Sequence, residues 1–268
     1  MTNFLSDDQL KRLADWEGIL EENFRGATDG LHSFSPRIVV RCYSECDSTM
    51  DLARCLSDQL GQDEYGLILT QQQTAGRGRQ GRIWKAMPGA LCMTALLPWN
   101  NSSEKLYGFS LVVGVAAKEY FEKLGIALYL KWPNDLLSNT GLKVGGILVE
   151  VFNNYILLGV GINLLVDQDL PLGAGSIESI AGRKFSQLEI ASALLPNIIK
   201  AFELFSAEGF LPFRGLFEKY CFYMGKEVTI SLGDRTARGR FCGVNERGGA
   251  VIKTSPEETE IVYTGELI

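Results

Sequence analysis

A chain of 268 residues that is 46% hydrophobic and 22% charged has material for one large domain or two unequal ones. Its formal net charge of -6 argues against a protein built to coat nucleic acid and leaves room only for a local basic patch. The single histidine, His32, sits in a Gly/Ser-rich segment and reads as a solvated loop residue, so catalysis must rest on Lys, Arg, Asp or backbone groups.

In chain order, Ser6 with Gln9 forms a capping-box pattern that opens a helix carrying Leu13, Trp16, Leu20 and Phe24 on one stripe. The "GATDG" run ends it, leaving residues 1–35 as a leader too short for a winged helix-turn-helix. A strand is expected over 37–43. A helix marked by Leu52, Leu56 and Leu60 follows Ser48 and Thr49, both good N-cap types. "GLILTQQ" and "GALCMTALLP" read as strands, 102–125 as one long buried helix, and "ALYLKWP" as a strand stopped by Pro133, which points Asn134 and Asp135 out of its end. The Asn153-Asn154 pair between two apolar arms predicts a hairpin in a sheet covered by helices. Ser186 with Glu189 caps a helix running to about Phe205, and a shorter helix lies near 210–222. From Lys226 short strands and glycine turns predict a small β-barrel. The domain boundaries so drawn are 1–35, 36–222 and 223–268.

Six cysteines without a C-x-x-C pair read as buried, reduced thiols. No run of about 18 apolar residues suggests a bilayer span, and the charged first 25 residues do not look like a signal peptide. A cytoplasmic protein without a membrane or nucleic-acid partner is the expectation.

Four stretches carry chemistry. In "TAGRGRQGRIW" (74–84), Gly76, Gly78 and Gly81 let backbone approach a ligand, while Arg77, Arg79 and Arg82 offer forked cations for carboxylate or phosphate. Like charges on so glycine-rich a loop predict mobility until an anion gathers it, as a lid would. A solvated RG turn is the equally simple alternative. "KWPNDLL" supplies Lys131, Asn134 and Asp135, though a Pro-Asn-Asp turn is common on its own. Lys143 stands at the mouth of the strand "LKVGGILVE", beside Gly145 and Gly146, as an edge residue or as a cation aimed at phosphate. Asn163 ends the strand of "GVGIN", where an amide suits a base edge. With Trp84 these groups make an inventory for ATP.

In this order and spacing, "DSTM" (47–50), "QTAGRGRQGRIW" (73–84), "KWPNDLL", "LKVGGILVE" and "GVGIN" resemble the biotin protein ligase family over about residues 37–268. The resemblance implies an α+β fold. It consists of a mixed sheet flanked by helices, of the class II synthetase-like type, with a C-terminal SH3-like barrel. It implies activation of biotin by ATP and Mg2+ to biotinyl-5′-AMP, then transfer to a lysine of a biotin carboxyl-carrier protein domain. By the same resemblance Ser48, Thr49 and Gln73 hold the ring head of biotin, and Arg77, Gly78 and Arg79 close over carboxylate and phosphate. Trp84 packs by adenosine, and Lys143 sits between carboxylate and α-phosphate. Lys131, Asn134 and Asp135 serve ATP, Asp135 also the metal, and Asn163 the adenine. Lys143, Arg79 and Asp135 are the catalytic set. Met50, in the biotin-binding stretch, stands where the family usually has Asn, so one amide is lost. The leader supplies no DNA-binding domain, and a hydrophobic sheet edge leaves a homodimer open. A lipoate or octanoate ligase or transferase of the same fold, and a biotin-responsive regulator, are the competing readings.

Overall fold

The computed structural model describes residues 6–28 and 37–268; His32 and the last two residues of the "GATDG" run lie outside them. Ser6 and Gln9 do form the reciprocal cap, with the Ser6 amide donating to Gln9 Oε1 (2.9 Å) and the Gln9 amide to Ser6 Oγ (3.3 Å). Helix α1 (Asp7–Thr28) then runs through Gly26. It is no separate leader: Leu13, Leu20 and Phe24 are buried in the main core, and Glu17 Oε1 accepts from the Cys42 amide at 2.7 Å.

Strand β1 (Ile38–Cys46), helix α2 (Thr49–Ser57), and strands β2 (Tyr65–Gln73) and β3 (Leu91–Pro98) follow. Ser48 occupies the N-cap position of α2, yet its side chain makes no capping bond. The expected 102–125 helix is split. Gly108, at φ +84°, separates a short 3-10 turn from α3 (Phe109–Lys123); glycine suits this position both for its positive φ and because a side chain there would strike the Phe210 ring. Strands β4 (Leu128–Lys131) and β5 (Asp135–Ser138) form a tight hairpin. Asp135 therefore opens β5, paired with Lys131 across the turn, and its side chain reaches the cavity described below. Strands β6 (Lys143–Phe152) and β7 (Tyr155–Ile162) make the hairpin expected from Asn153 and Asn154, which both adopt positive φ (48° and 60°).

The seven strands pair in the order β1-β2-β3-β7-β6-β5-β4, with β1 parallel to β2 and every other pair antiparallel. Alternation along each strand divides the side chains between two faces. Leu67, Leu69, Met93, Ala95, Leu158 and Val160 face the main core, which α1, α3 and the long helix α5 (Gln187–Glu208) complete. Helix α5 is long and apolar enough to cross a membrane by length and composition, a run not foreseen from the sequence. Its Ile190, Leu194, Ile198, Phe202 and Phe205 are buried in this core. Its N-terminus carries the Ser186/Glu189 capping box.

The opposite face is covered by α2 only over β2, β3 and β7, through Met50, Ala53 and Leu56. At the edge of that patch and beyond it the strands carry small residues: Gly159 and Gly161 on β7, Gly146 on β6. A Cβ at Gly161 would meet the Trp84 ring at 2.7 Å, and one at Gly159 would meet Met50 Sδ at 3.0 Å. Glycine on this face makes room where the expected helical cover stops.

Helix α4 (Ile177–Ala181) precedes α5, and α6 (Arg214–Tyr220) leads to the C-terminal unit. Strands β8 (Glu227–Ser231), β9 (Thr236–Val244), β10 (Ala250–Lys253), β11 (Thr259–Val262) and β12 (Glu266–Leu267) make an antiparallel sheet ordered β11-β10-β9-β8-β12. The first four form a meander and the last returns to pair β8, so two strands adjacent in sequence end on opposite edges. This sheet is fastened to the larger one. Trp132 Nε1 donates to Gly248 O (3.1 Å), and the Arg247 guanidinium lies 5.2 Å and 5.6 Å from the Tyr107 and Tyr263 rings.

No disulfide forms among the described residues, but the cysteines are not uniformly buried. Cys42, Cys92 and Cys221 are, whereas Cys55 and Cys242 are exposed.

Candidate active site

A cavity of about 140 Å³ lies on the glycine-lined face, between α2, the ends of β2, β4 and β5, the β6-β7 hairpin and the 76–84 loop. Its wall gathers Thr49, Met50, Gln73, Arg77, Gly78, Arg79, Trp84, Lys131, Asn134, Asp135 and Lys143 from α2, β2, the 77–84 loop, the β4-β5 hairpin and β6. Two expected site residues stand elsewhere. Ser48 lies just behind the wall, its Oγ buried without a protein partner. Asn163 does not line the cavity: its Nδ2 donates to Gly175 O (3.1 Å), its amide to Val144 O (2.8 Å), and its Oδ1 is buried without a partner. It clamps the 163–176 loop against β6, because strand β7 ends pointing at that loop rather than at the cavity.

One end of the cavity is neutral. The Thr49 amide and Oγ1 both donate to Gln73 Oε1 (2.8 and 2.9 Å), and Thr94 Oγ1 donates to Thr49 Oγ1 (2.8 Å). Met50 lines the cavity and belongs to the small apolar cluster under α2, so this part of the wall is an apolar thioether. The Cys92 thiol lies against Gln73 and Trp84, and burial pushes its pKa up to about 12, which makes it an inert neutral group.

The other end is charged. Lys143 Nζ, from the first residue of β6, lies 2.7 Å from Asp135 Oδ1 and 6.0 Å from the centre of the Trp84 ring. Arg79 donates to Asn134 Oδ1 (3.3 Å) and to Gly265 O (3.1 Å), while Asn134 Nδ2 is held by Ile147 O (2.8 Å). Burial pushes the Arg79 guanidinium below its ordinary value and the nearby Asp135 and Glu266 oppose this; it stays charged.

The basic loop is not left unheld, as like charges and glycines would suggest. Arg77 pairs with Asp51 of α2 (2.5 Å) and with Glu150 of β6 (3.6 Å), and Arg82 pairs with Glu266 of β12. Gly78 and Trp84 amides bond back across the loop to Arg82 O and Gly76 O. Repulsion between the cations is answered by carboxylates from three other elements. These partners, Asp51, Glu150 and Glu266, are the functional neighbours that sequence reasoning missed; nothing in their local sequence marks them.

Among the described residues no group of three or more His, Cys, Asp or Glu side chains could cage a metal. Asp135 and Glu266 are the carboxylates of the cavity wall, and both are paired with cations. Such a site suits an ion that arrives on a ligand's phosphates and takes one protein carboxylate, as Mg2+ does on nucleotides.

Comparison with known proteins gives concordant results. Residues 43–167 match the model of the biotin/lipoate A/B protein ligase family, and residues 223–268 that of the biotin protein ligase C terminal domain. The chain is 30% identical over 209 residues to the bifunctional ligase/repressor BirA of Escherichia coli, covering 74% of this chain and 65% of that protein. It is 29% identical over 221 residues to the biotin--[acetyl-CoA-carboxylase] ligase of Paracoccus denitrificans, covering 75% and 88%. Relative to the first curated proteins it matches, the chain spans just under two thirds of their length. Among solved structures, the biotin protein ligase from Aquifex aeolicus in complex with biotin and ATP superposes with a TM-score of 0.74 at 28% identity, covering 87% of this chain and 97% of that one.

Proposed function

Because the chain belongs to the biotin protein ligase family, we propose that it activates biotin with ATP and transfers it to a lysine of a biotin carrier domain. The observation that carries this reading is the single cavity joining a neutral, hydroxyl-and-amide end to a cationic end. Biotin has the same division: an uncharged ureido ring at one end, a carboxylate at the other.

In the first step a biotin carboxylate oxygen attacks the α-phosphorus of ATP. The bond from that phosphorus to the bridging oxygen breaks, and pyrophosphate leaves. Two anions must meet, and Lys143, Arg79 and Arg77 offset the repulsion and stabilise charge that grows on the transferring group. Asp135 holds the Lys143 ammonium in place. Asn134, oriented by Ile147 O and Arg79, and Lys131 serve the polyphosphate. Trp84, seated on Gly161, offers its face to the nucleoside. Mg2+ would enter on the triphosphate, with Asp135 the wall carboxylate available to it. In the second step the carrier's lysine nitrogen attacks the acyl carbon, loses a proton, and AMP leaves. No side-chain nucleophile is required. Asn163 reads no base in this scheme; it fixes the loop that follows β7.

The carrier is a domain presenting its lysine at the cavity mouth, and the reading is tested by incubating such a domain with this chain, ATP and labelled biotin. ATP-dependent labelling is expected. Absence of label from a chain that binds both small molecules would remove the proposed activity. The family also covers lipoate ligases. The doubly anchored Gln73 amide favours a hydrogen-bonding ureido ring over the dithiolane of lipoate, and competition binding between the two acids decides.

A further inference from the structure

The polar contacts at the neutral end run in one direction. The Thr49 amide is a fixed donor, so the Gln73 side-chain atom 2.8 Å from it must be the carbonyl oxygen. That leaves Gln73 Nε2 as the donor of a side chain in the cavity wall, beside the wall residue Cys92. The Thr49 hydroxyl has one proton, and Gln73 Oε1 takes it. Thr94, fully buried on β3 and absent from the cavity wall, gives its own proton to Thr49 Oγ1. One lone pair of Thr49 Oγ1 then remains for a ligand. The wall thus presents an acceptor, Thr49 Oγ1, beside a donor, Gln73 Nε2. This is the complement of an N–H next to a C=O.

We propose that Thr94 is a positioning residue which, through Thr49 and Gln73, commits this end of the cavity to ligands carrying an adjacent N–H and carbonyl oxygen. The inference rests on the ligase reading for the identity of that ligand as the ureido ring of biotin. It goes further in naming what selects the ring and which buried residue sets the selection. A hydroxyl at 94 is needed to occupy one of the two Thr49 Oγ1 lone pairs, not for packing, since valine has the shape of threonine but no proton to give. Without that proton the Thr49 hydroxyl is still held by Gln73 Oε1, but one of its lone pairs is left buried and unmatched, and its acceptor no longer meets the ligand N–H in a single geometry. A ligand without polar ring atoms, or with donors where biotin has its carbonyl oxygen, leaves a buried group unpaired and is rejected.

The test compares Thr94→Val and Thr94→Ser with the unmodified chain, reading biotin affinity by calorimetry and KM and kcat from biotin-dependent pyrophosphate release. Thr94→Val should weaken biotin binding about tenfold with kcat within about twofold and the KM for ATP unchanged, and Thr94→Ser should restore affinity to within about threefold. The unmodified chain should also prefer biotin over 2-iminobiotin, whose guanidinium puts donors at the carbonyl position, by at least about a hundredfold. Unchanged biotin affinity in Thr94→Val, or a loss spread equally over biotin, ATP and kcat, overturns the positioning role. Equal affinity of the unmodified chain for the two ring systems overturns the donor assignment, even if the valine variant does not fold. A chain that binds biotin but releases no pyrophosphate refutes the ligase reading, and the relay is then judged on biotin affinity alone.

Discussion

At the Thr49–Gln73 end of the cavity the polar groups are neutral, shielded and tied to a backbone amide. At the Lys143 end the cations are held by carboxylates or carbonyls from other elements. The first arrangement is costly to disturb, because a buried donor or acceptor left unmatched loses about 1–3 kcal/mol. The second is not: partly exposed ion pairs such as Arg82 with Glu266 contribute about 0.2–1 kcal/mol each, little enough that an incoming phosphate or carboxylate can replace the resident partner. The rigid end suits recognition of one ring. The exchangeable end suits chemistry in which charges arrive, move and leave.

Substitutions can break or sharpen this contrast. The largest effect is expected at Lys143, the cation at the centre of the charged end. Lys143→Ala should lower biotin-dependent pyrophosphate release by about 10²–10³-fold, with biotin affinity changed far less; near-normal release would remove Lys143 from the reacting centre. Gly161→Ala comes next. A methyl at this position enters the Trp84 ring at 2.7–3.0 Å, so the indole must move. The KM for ATP should rise about tenfold or more, with a stability loss of about 1–3 kcal/mol in a urea titration. An unaffected KM for ATP would separate Trp84 from the nucleoside.

Glu266→Gln should act more gently. It frees Arg82 from β12 while leaving Arg79 on Gly265 O, so activity should fall only a few-fold, and more at low ionic strength than at high salt. The smallest effect is one of pH. The hydrogen bond from Arg82 holds the Glu266 carboxyl below its ordinary value of 4.5. A carboxylate depressed in the folded state stabilises fully above the unfolded pKa, and this stability is lost as pH falls through the folded one. The unmodified chain should therefore exceed Glu266→Gln in stability at neutral pH and lose that margin below about pH 4.5, as followed by acid unfolding of both.

The cavity's contiguous pieces were legible in the sequence because its loop, turn and strand-mouth residues lie in short runs whose residue types suit anions and amides. The Ser186/Glu189 cap and the Asn153-Asn154 turn were legible because they are settled within four residues. What was hidden depends on register and topology. Asp51, Glu150 and Glu266 meet the basic loop only after α2, β6 and β12 are assembled, so the loop read as unrestrained when it is held at three points. Asn163 read as a base reader because its strand end points, in sequence, like the others; the loop it clamps is visible only in three dimensions. The 102–125 segment read as one helix because Gly108 costs a helix only about 1 kcal/mol, and the Phe210 ring packed where a side chain at 108 would stand lies far along the chain. The leader read as an appendage because nothing local shows that α1 closes the core against α5 and caps an amide of β1.

The most direct test of the account is the biotin-dependent exchange of labelled pyrophosphate into ATP, measured without any carrier. The cavity described here predicts exchange that requires biotin and is lost in Lys143→Ala. No exchange from a chain that binds biotin and ATP together, or equal exchange without biotin, would contradict it.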